Sequence, residues 1–350
     1  MKTDIFFAIE QLEKSKGIPK DKLKETIEAA LLSAYRKNFK SSHKGVSVEV
    51  DSQTGEIKVF ARKMIVDKLK DSTTEISWEE VQRLGLKGQV GDWVSIEVTP
   101  HDFGRVAAQT AKQVIMQRLR EAERDLIYEE FVEKVGEVIT GLVNRIEGKE
   151  IIIDLGRAEA SLPPNEQVFA ERYRIGGRMK FYIVEVRKSS KGPKIILSRT
   201  HPNLVKRLFE LEVPEIQDGL VDIKAIAREP GVRSKVAVES RSEKVDPIGA
   251  CIGNRGSRVK NITDELRGEK IDIIRWNNDP AVFITEALSP AKVIQVELNQ
   301  DDNTAQVIVP ENQLSLAIGK EGQNARLAAR ITGWRIDIKG KKEEEKELSV

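Results

Sequence analysis

Read for hydrophobic periodicity, the chain opens on two helices. Ile5, Ala8, Ile9 and Leu12 fall on one helical face, Leu23, Ile27, Leu31 and Ala34 fall on another, and Gly17 and Pro19 separate the two. After Gly45 the period shortens to two: VSVEV and EIKVF alternate on either side of DSQTG, which predicts a hairpin. DWVSIEV predicts a further strand. From about Gly104 the helical period returns at Ala111, Ile115, Leu119, Ala122 and Leu126, so a long helix is expected to run toward Gly136. Residues 1–130 therefore read as an α+β domain that ends in a long linker helix.

From 132 to 200 the pattern breaks into short apolar runs, EVITGLVNRI, EIIIDLG, AEASLP, RMKFYIVEV and KIILS, with glycine-rich or charged turns between them. Five short strands at close spacing predict a small all-β barrel of the OB type, an architecture that carries oligonucleotides on one face.

Beyond Pro202 the chain repeats itself. IGNRGSRVKNITDELRGEKIDI returns as IGKEGQNARLAARITGWRIDI. Each copy reads as a helix, two strands, a helix interrupted by Gly-x-x-Gly, and a last strand, which places two α/β modules in tandem at 201–276 and 277–343. The closing residues 344–350 have no apolar period and are expected to be disordered. A glycine weakens a helix by about 1 kcal/mol relative to alanine, so a doubly interrupted helix needs a use for bare backbone. Glycine lets the main chain approach a phosphate, and the restarting helix presents the positive end of its dipole. One such loop is an ordinary helix-turn-helix; two in the same context point to KH modules, whose loops clamp about four single-stranded nucleotides. Gly253, Asn254, Arg255 and Gly256, followed by Arg258 and Lys260, form the first candidate site, and Gly319, Lys320, Glu321 and Gly322, followed by Gln323 and Arg326, the second. Glu321 would repel a phosphate, so the first loop is expected to attract RNA more strongly. All four glycines are expected to accept a side chain at small structural cost.

Composition narrows the possibilities. A chain of 350 residues with 39% hydrophobic and 33% charged residues can bury several small cores. It has no long apolar run, and MKTDIFFAIEQLEK lacks the basic head and cleavage site of a secretory signal, so no membrane contact and a cytoplasmic location are expected. Cys251 is the single cysteine, and His43, His101 and His201 are scattered, which excludes an internal disulfide and suggests no metal centre. No cofactor is expected. Paired carboxylates and a G-x-x-x-x-G-K-[ST] loop are missing, so the chain does not read as a nuclease, an ATPase or any other enzyme.

The net charge of +2 conceals a local excess. Arg172, Arg174, Arg178, Lys180, Arg187, Lys188, Lys191, Lys194 and Arg199 face a single acid, Glu185, with Tyr173, Phe181 and Tyr182 among them. A charge run alone is usually a solvated face. Interleaved aromatics favour single-stranded RNA, and Arg178, Lys180, Tyr182, Arg187, Lys188 and Arg199 are the candidate contacts.

The segments AREPGVRSKVAVES, DPIGACIGNRGSRVKNITDELRGEKIDIIRW and LAIGKEGQNARLAARITGW together resemble the NusA family of bacterial transcription factors. AIEQLEKSKGIPKDKLKETIEAALLSAYRK is similar to that family's RNA-polymerase-binding domain, and the part between to its ribosomal-type OB domain. The resemblance implies a multidomain α/β protein with prokaryotic-type KH modules, in which Arg233 and Lys235 join the RNA-binding set. It also implies docking on core RNA polymerase, contact with nascent single-stranded RNA, and effects on pausing, termination and antitermination. Other elongation factors and a ribosomal protein are further implied partners. Two departures stand out: the aromatic that the wider ribosomal OB family carries in an early strand is replaced by EGKEIIIDLG, and the acidic repeats of some members are not expected. The alternative reading is an RNA chaperone, translation or RNA-processing accessory protein without polymerase contact.

Overall fold

The computed structural model describes residues 20–39, 45–51, 56–189 and 192–341. The expected first helix, residues 52–55 of the DSQTG turn, Lys191 and the closing tail lie outside them, as does the Leu23 side chain. The chain divides into two compact units, Met1–Leu126 and Ile127–Val350.

In the first unit, helix α1 (Lys20–Phe39) packs Ile27, Leu31 and Tyr35 against strand β1 (Val46–Val50) and strand β2 (Ile57–Val66). The hairpin is antiparallel with Val48 opposite Val59, and alternation buries Val46, Val48 and Val50 on one face. Strand β3 (Glu75–Ser77) runs parallel to β2, and β4 (Trp93–Glu97) pairs with it antiparallel. β3 and the short helix α2 (Trp78–Arg83) were not foreseen; the Ser77 side chain accepts a hydrogen bond from the Glu80 N–H and caps α2. Helix α3 (Phe103–Val132) places Phe103, Ala107, Ala111 and Ile115 in this core. Leu126, expected on its apolar stripe, is exposed.

In the second unit, β5 (Val138–Glu147), β6 (Glu150–Asp154), β7 (Glu159–Leu162), β8 (Arg178–Arg187) and β9 (Lys194–Ser198) close a barrel in the order β5-β6-β7-β9-β8. The five strands are those that the short apolar runs predict. Val143, Ile153, Leu162, Phe181, Ile183 and Leu197 fill its interior with Phe131.

The repeat becomes two copies of one fold. The first comprises helix α4 (Pro202–Glu212), β10 (Val221–Glu229), β11 (Arg233–Ser240), α5 (Pro247–Ile252), α6 (Ser257–Glu265) and β12 (Lys270–Arg275). The second comprises α7 (Pro280–Ala287), β13 (Gln295–Asn299), β14 (Thr304–Pro310), α8 (Leu314–Ile318), α9 (Gln323–Thr332) and β15 (Arg335–Lys341). In each sheet the first two strands are antiparallel and the third is parallel to the middle one. Proline at the first helical position follows a capping residue three times: His201 before Pro202, Asp246 before Pro247 and Asp279 before Pro280. The modules share a core in which Ala227, Ala237 and Ile274 of the first meet Phe283, Ile284, Leu327 and Ala328 of the second. Two modules fused through buried apolar side chains hold their loops at a fixed spacing.

Candidate nucleic-acid interface

The two Gly-x-x-Gly loops have one backbone. Gly253 lies at φ 73, ψ 177 and Gly319 at φ 76, ψ 172. Arg255 and Glu321 occupy the left-handed region at φ 52 and φ 55, and Gly256 and Gly322 follow there at φ 75 and φ 74. Such a run favours glycine wherever it can be placed. The helices that restart, α6 and α9, begin without a side-chain cap, so their first N–H groups have no side-chain acceptor and carry the positive end of the dipole.

The glycines are not equivalent, which corrects the expectation of uniformly cheap substitution. A Cβ at Gly253 would lie 2.6 Å from Arg258 Cγ, and one at Gly319 would lie 2.8 Å from Asn324 Cβ. The first glycine of each loop is pressed against the helix that follows. Gly256 has open space around it, and Gly322 meets only Arg326 Nη1 at 3.9 Å.

The charged groups beside the loops differ from their simple reading. Asn254, Arg255 and Lys260 are exposed, as are Lys320 and Glu321. Arg258, expected to face a phosphate, turns back and donates to Glu215 Oε2 at 2.8 Å and to the Ala250 carbonyl at 2.6 Å. Arg326 donates to Glu229 Oε1 at 2.7 Å and to the Glu321 carbonyl, and Gln323 donates to Glu229 Oε2. Hydrogen bonding from Arg326 holds the Glu229 carboxyl below its usual range, so the tie is ionic near neutral pH. Arg255 forms no ion pair among the described residues, so the first loop keeps a cation at its tip, while the second carries one cation and one anion.

The basic strip of the barrel does not form one face. Arg199 is fully buried, paired with Glu171 and with Glu265 at 3.1 Å, and it donates to the carbonyls of Lys180 and Glu265. Burial alone would push its guanidinium down, but the bonds and charge of Glu171 outweigh that and hold its pKa above the ordinary arginine value. It ties the barrel to α6 of the first KH module and meets no solvent. Lys235 is likewise buried, donating to Asp272 and to the Ser289 carbonyl, and desolvation lowers its pKa against the pull of Asp272. Tyr182 is buried against α4, its ring stacked 4.5 Å from that of His201. Phe181 points into the barrel and Tyr173 is half-buried. Arg199, Lys235 and Tyr182 therefore leave the candidate set. Strand alternation in a closed barrel sends neighbouring side chains to opposite sides, and the outward side is here partly covered by the next module.

Of the rest, Lys180 lies 3.8 Å from Glu265, Arg187 bonds Glu185, Arg233 bonds Asp272, and Lys188 sits 4.7 Å over the Tyr128 ring. Arg172, Arg174 and Arg178 are exposed, and none forms an ion pair among the described residues. Cys251 is buried, its thiol pushed up to about 12 mainly by desolvation, as suits a packing side chain. Among the described residues no helix is long and apolar enough to cross a membrane, and no cluster of His, Cys, Asp or Glu could hold a metal ion. Sequence reasoning missed Phe169, a wholly exposed aromatic in the β7–β8 connection.

Three family descriptions match the chain: "NusA N-terminal domain" over residues 4–125, "NusA-like first KH domain" over 199–276 and "NusA-like second KH domain" over 280–346. A protein of Halalkalibacterium halodurans called "Transcription termination/antitermination protein NusA" is 53% identical over 343 residues, covering 98% of this chain and 90% of the relative. One of the same name from Thermus thermophilus is 42% identical over 359 residues, covering 100% of this chain and 92% of the relative. The solution structure of the N-terminal domain of NusA from Bacillus subtilis is 54% identical with a TM-score of 0.32, covering 35% of this chain and 99% of that one.

Proposed function

The chain belongs to the NusA family, and on that premise we propose that it is an RNA-binding transcription factor that holds nascent single-stranded RNA beside RNA polymerase. The second unit takes the RNA and the first unit takes core polymerase, so that pausing, termination and antitermination respond to the emerging transcript. It would act in the cytoplasm, with no chemistry of its own to perform.

The observation that carries this reading is the pair of loops with matching dihedral angles, held by a shared core in two consecutive modules. Bare backbone at Gly256 and Gly322, uncapped helix starts and the exposed tips Asn254–Arg255 and Lys320 supply what a phosphate requires. Lys260 adds a cation a turn behind the first loop. Arg172, Arg174 and Arg178 are among the barrel cations that remain available to RNA, and other elongation factors or a ribosomal protein would find surface elsewhere on the chain. The polymerase assignment is supported by the first unit's own core, built from α1, the β1–β2 hairpin and α3, and by the family description that covers it.

The test is a division of labour. Residues 1–126 should retain core polymerase on a column without retaining single-stranded RNA. The full chain should bind RNA, and asparagine and arginine at the first tip exchanged for aspartate should abolish most of that binding while polymerase capture persists. Polymerase capture lost from the first unit and recovered by the second would contradict the proposal.

A further inference from the structure

The aromatics of strand β8 are buried, yet one aromatic nearby stands in water. Phe169 is 106% exposed, at the tip of a turn closed by the Glu171 N–H donating to the Val168 carbonyl at 3.0 Å. The turn is held firmly. Val168 is buried, its N–H donates to the Tyr173 hydroxyl at 2.9 Å, and Glu171 is committed to the buried pair with Arg199. The turn also rests on the first KH module: a Cβ at Gly231 would lie 2.5 Å from Val168 Cγ1 and 3.2 Å from Ala170 Cβ. A fixed scaffold that keeps a phenyl ring in solvent has forgone its burial, which is the largest apolar gain a side chain of this kind offers.

The surroundings are mainly basic. Val232, 52% exposed, follows Gly231, and the Lys270 N–H donates to its carbonyl. Arg172, Arg267 and Lys270 are exposed, and none forms an ion pair among the described residues. Of the acids here, Glu171 is neutralised by Arg199, Glu269 by Arg228, Asp272 by Arg233 and Glu229 by Arg326, while Asp264 is exposed beside Arg267. Three exposed cations against one exposed acid leave a net positive charge beside two apolar side chains. The place in the fold gives this a direction. The turn Glu229–Val232, closed by the Val232 N–H on the Glu229 carbonyl, touches the Phe169 turn through Gly231 and holds Gln323 and Arg326 through Glu229. Those two residues open α9, directly after the second Gly-x-x-Gly loop.

We propose that Phe169 and Val232, ringed by Arg172, Arg267 and Lys270, form a base-stacking platform for single-stranded RNA that extends the track from the second Gly-x-x-Gly loop onto the barrel. The proposal rests on the reading of the two loops as RNA sites. A base offers an apolar face to the ring while its phosphates meet the cations, a combination that a neutral or basic protein surface would not satisfy. The platform supplies what the second loop lacks, since that loop's own arginine is bound to Glu229 and Glu321 opposes phosphate.

The experiment uses the full chain, its Phe169→Ala, Phe169→Trp and Arg255→Asp variants, and single-stranded RNAs of about four and about twelve nucleotides, lengths set by the footprint of one loop and of a longer track. Phe169→Ala should lose roughly 5- to 100-fold in affinity for the long RNA, and less for the short one, with the salt dependence unchanged because no charge is removed. Phe169→Trp should keep wild-type affinity and show tryptophan quenching by the long RNA beyond that of the parent chain. If Phe169→Ala bound the long RNA as the parent does while Arg255→Asp lost it, the platform would be refuted and the loop reading would stand. If both variants bound normally, both ideas would fall. Loss of polymerase capture by Phe169→Ala with RNA affinity intact would assign this face to a protein partner and overturn the proposal.

Discussion

The two Gly-x-x-Gly loops share a backbone to within a few degrees, and they differ in almost everything electrostatic around it. At the first, Arg255 is exposed at the tip with no ion pair among the described residues, and Arg258 is folded back on Glu215. At the second, Lys320 is offset by Glu321, and Arg326 and Gln323 are taken by Glu229 of the neighbouring module. The position after the loop that holds Arg258 in the first module holds Asn324 in the second, where the amide donates to the carbonyls of Leu288 and Ala317. Duplication preserved the geometry because glycine dihedrals and helix packing demand it. Charge is set by a few exposed side chains that packing leaves free to change. On the proposed function, one frame would therefore serve as a phosphate clamp in the first module and as a weaker contact in the second.

The largest effect is expected at the first tip. Arg255→Asp puts a residue type that tolerates the left-handed region at the one left-handed tip position, and with Asn254→Asp it places carboxylates where phosphate should lie. Single-strand affinity should fall by about 2–3 kcal/mol, roughly 30- to 150-fold, with an unchanged melting temperature. Next, Gly253→Ala and Gly319→Ala should each cost about 1–2 kcal/mol of stability in denaturant titrations, since both strain and close approach oppose the methyl group. Gly256→Ala should cost less, since it meets the strain alone; equal losses at Gly253 and Gly256 would show that the proximity of Arg258 is immaterial.

Smaller effects isolate the electrostatic difference between the loops. Glu321→Lys should make the second loop resemble the first, raising RNA affinity by about 1 kcal/mol and steepening its salt dependence by about 0.7 for each additional phosphate neutralised. Glu229→Gln should release Arg326 and raise RNA affinity a few-fold, while the exposed part of the pair contributes at most about 1 kcal/mol to stability. The pH dependence has a definite sign. The Glu229 carboxyl is depressed in the folded chain by Arg326, so its contribution is complete above the unfolded carboxylate pKa and is lost as pH falls through the lower folded value. Acid titration of parent and Glu229→Gln should therefore converge at low pH.

Much of this architecture is legible in the sequence, for reasons that also explain what is not. The repeat is visible because Gly-x-x-Gly recurs in register with the apolar positions of its helices, and the barrel because alternation marks its short strands. Side-chain destinations are harder. Arg199 and Lys235 belong to basic stretches, yet their partners Glu171, Glu265 and Asp272 are remote in the chain, and no local pattern announces a buried ion pair. Tyr182 faces outward from its strand and is covered by a module whose docking the sequence does not state. Phe169 sits between Val168 and Ala170 in a loop, without the alternation that marks an aromatic face. β3 and α2 are too short for periodicity to register, although Ser77 ahead of Glu80 is a capping signal that could have been found.

If one loop geometry carries two unequal RNA sites, salt-dependent titration of single-stranded RNA against two charge-reversed chains will separate them most directly. Arg255→Asp in the first loop and Lys320→Asp in the second alter one cation each in matched loops. Arg255→Asp should lower affinity and flatten the salt dependence by about 0.7 for each phosphate no longer neutralised, and Lys320→Asp should do so to a clearly smaller degree. Equal losses from the two variants, or a greater loss from the second loop, would contradict the inequality of the two sites.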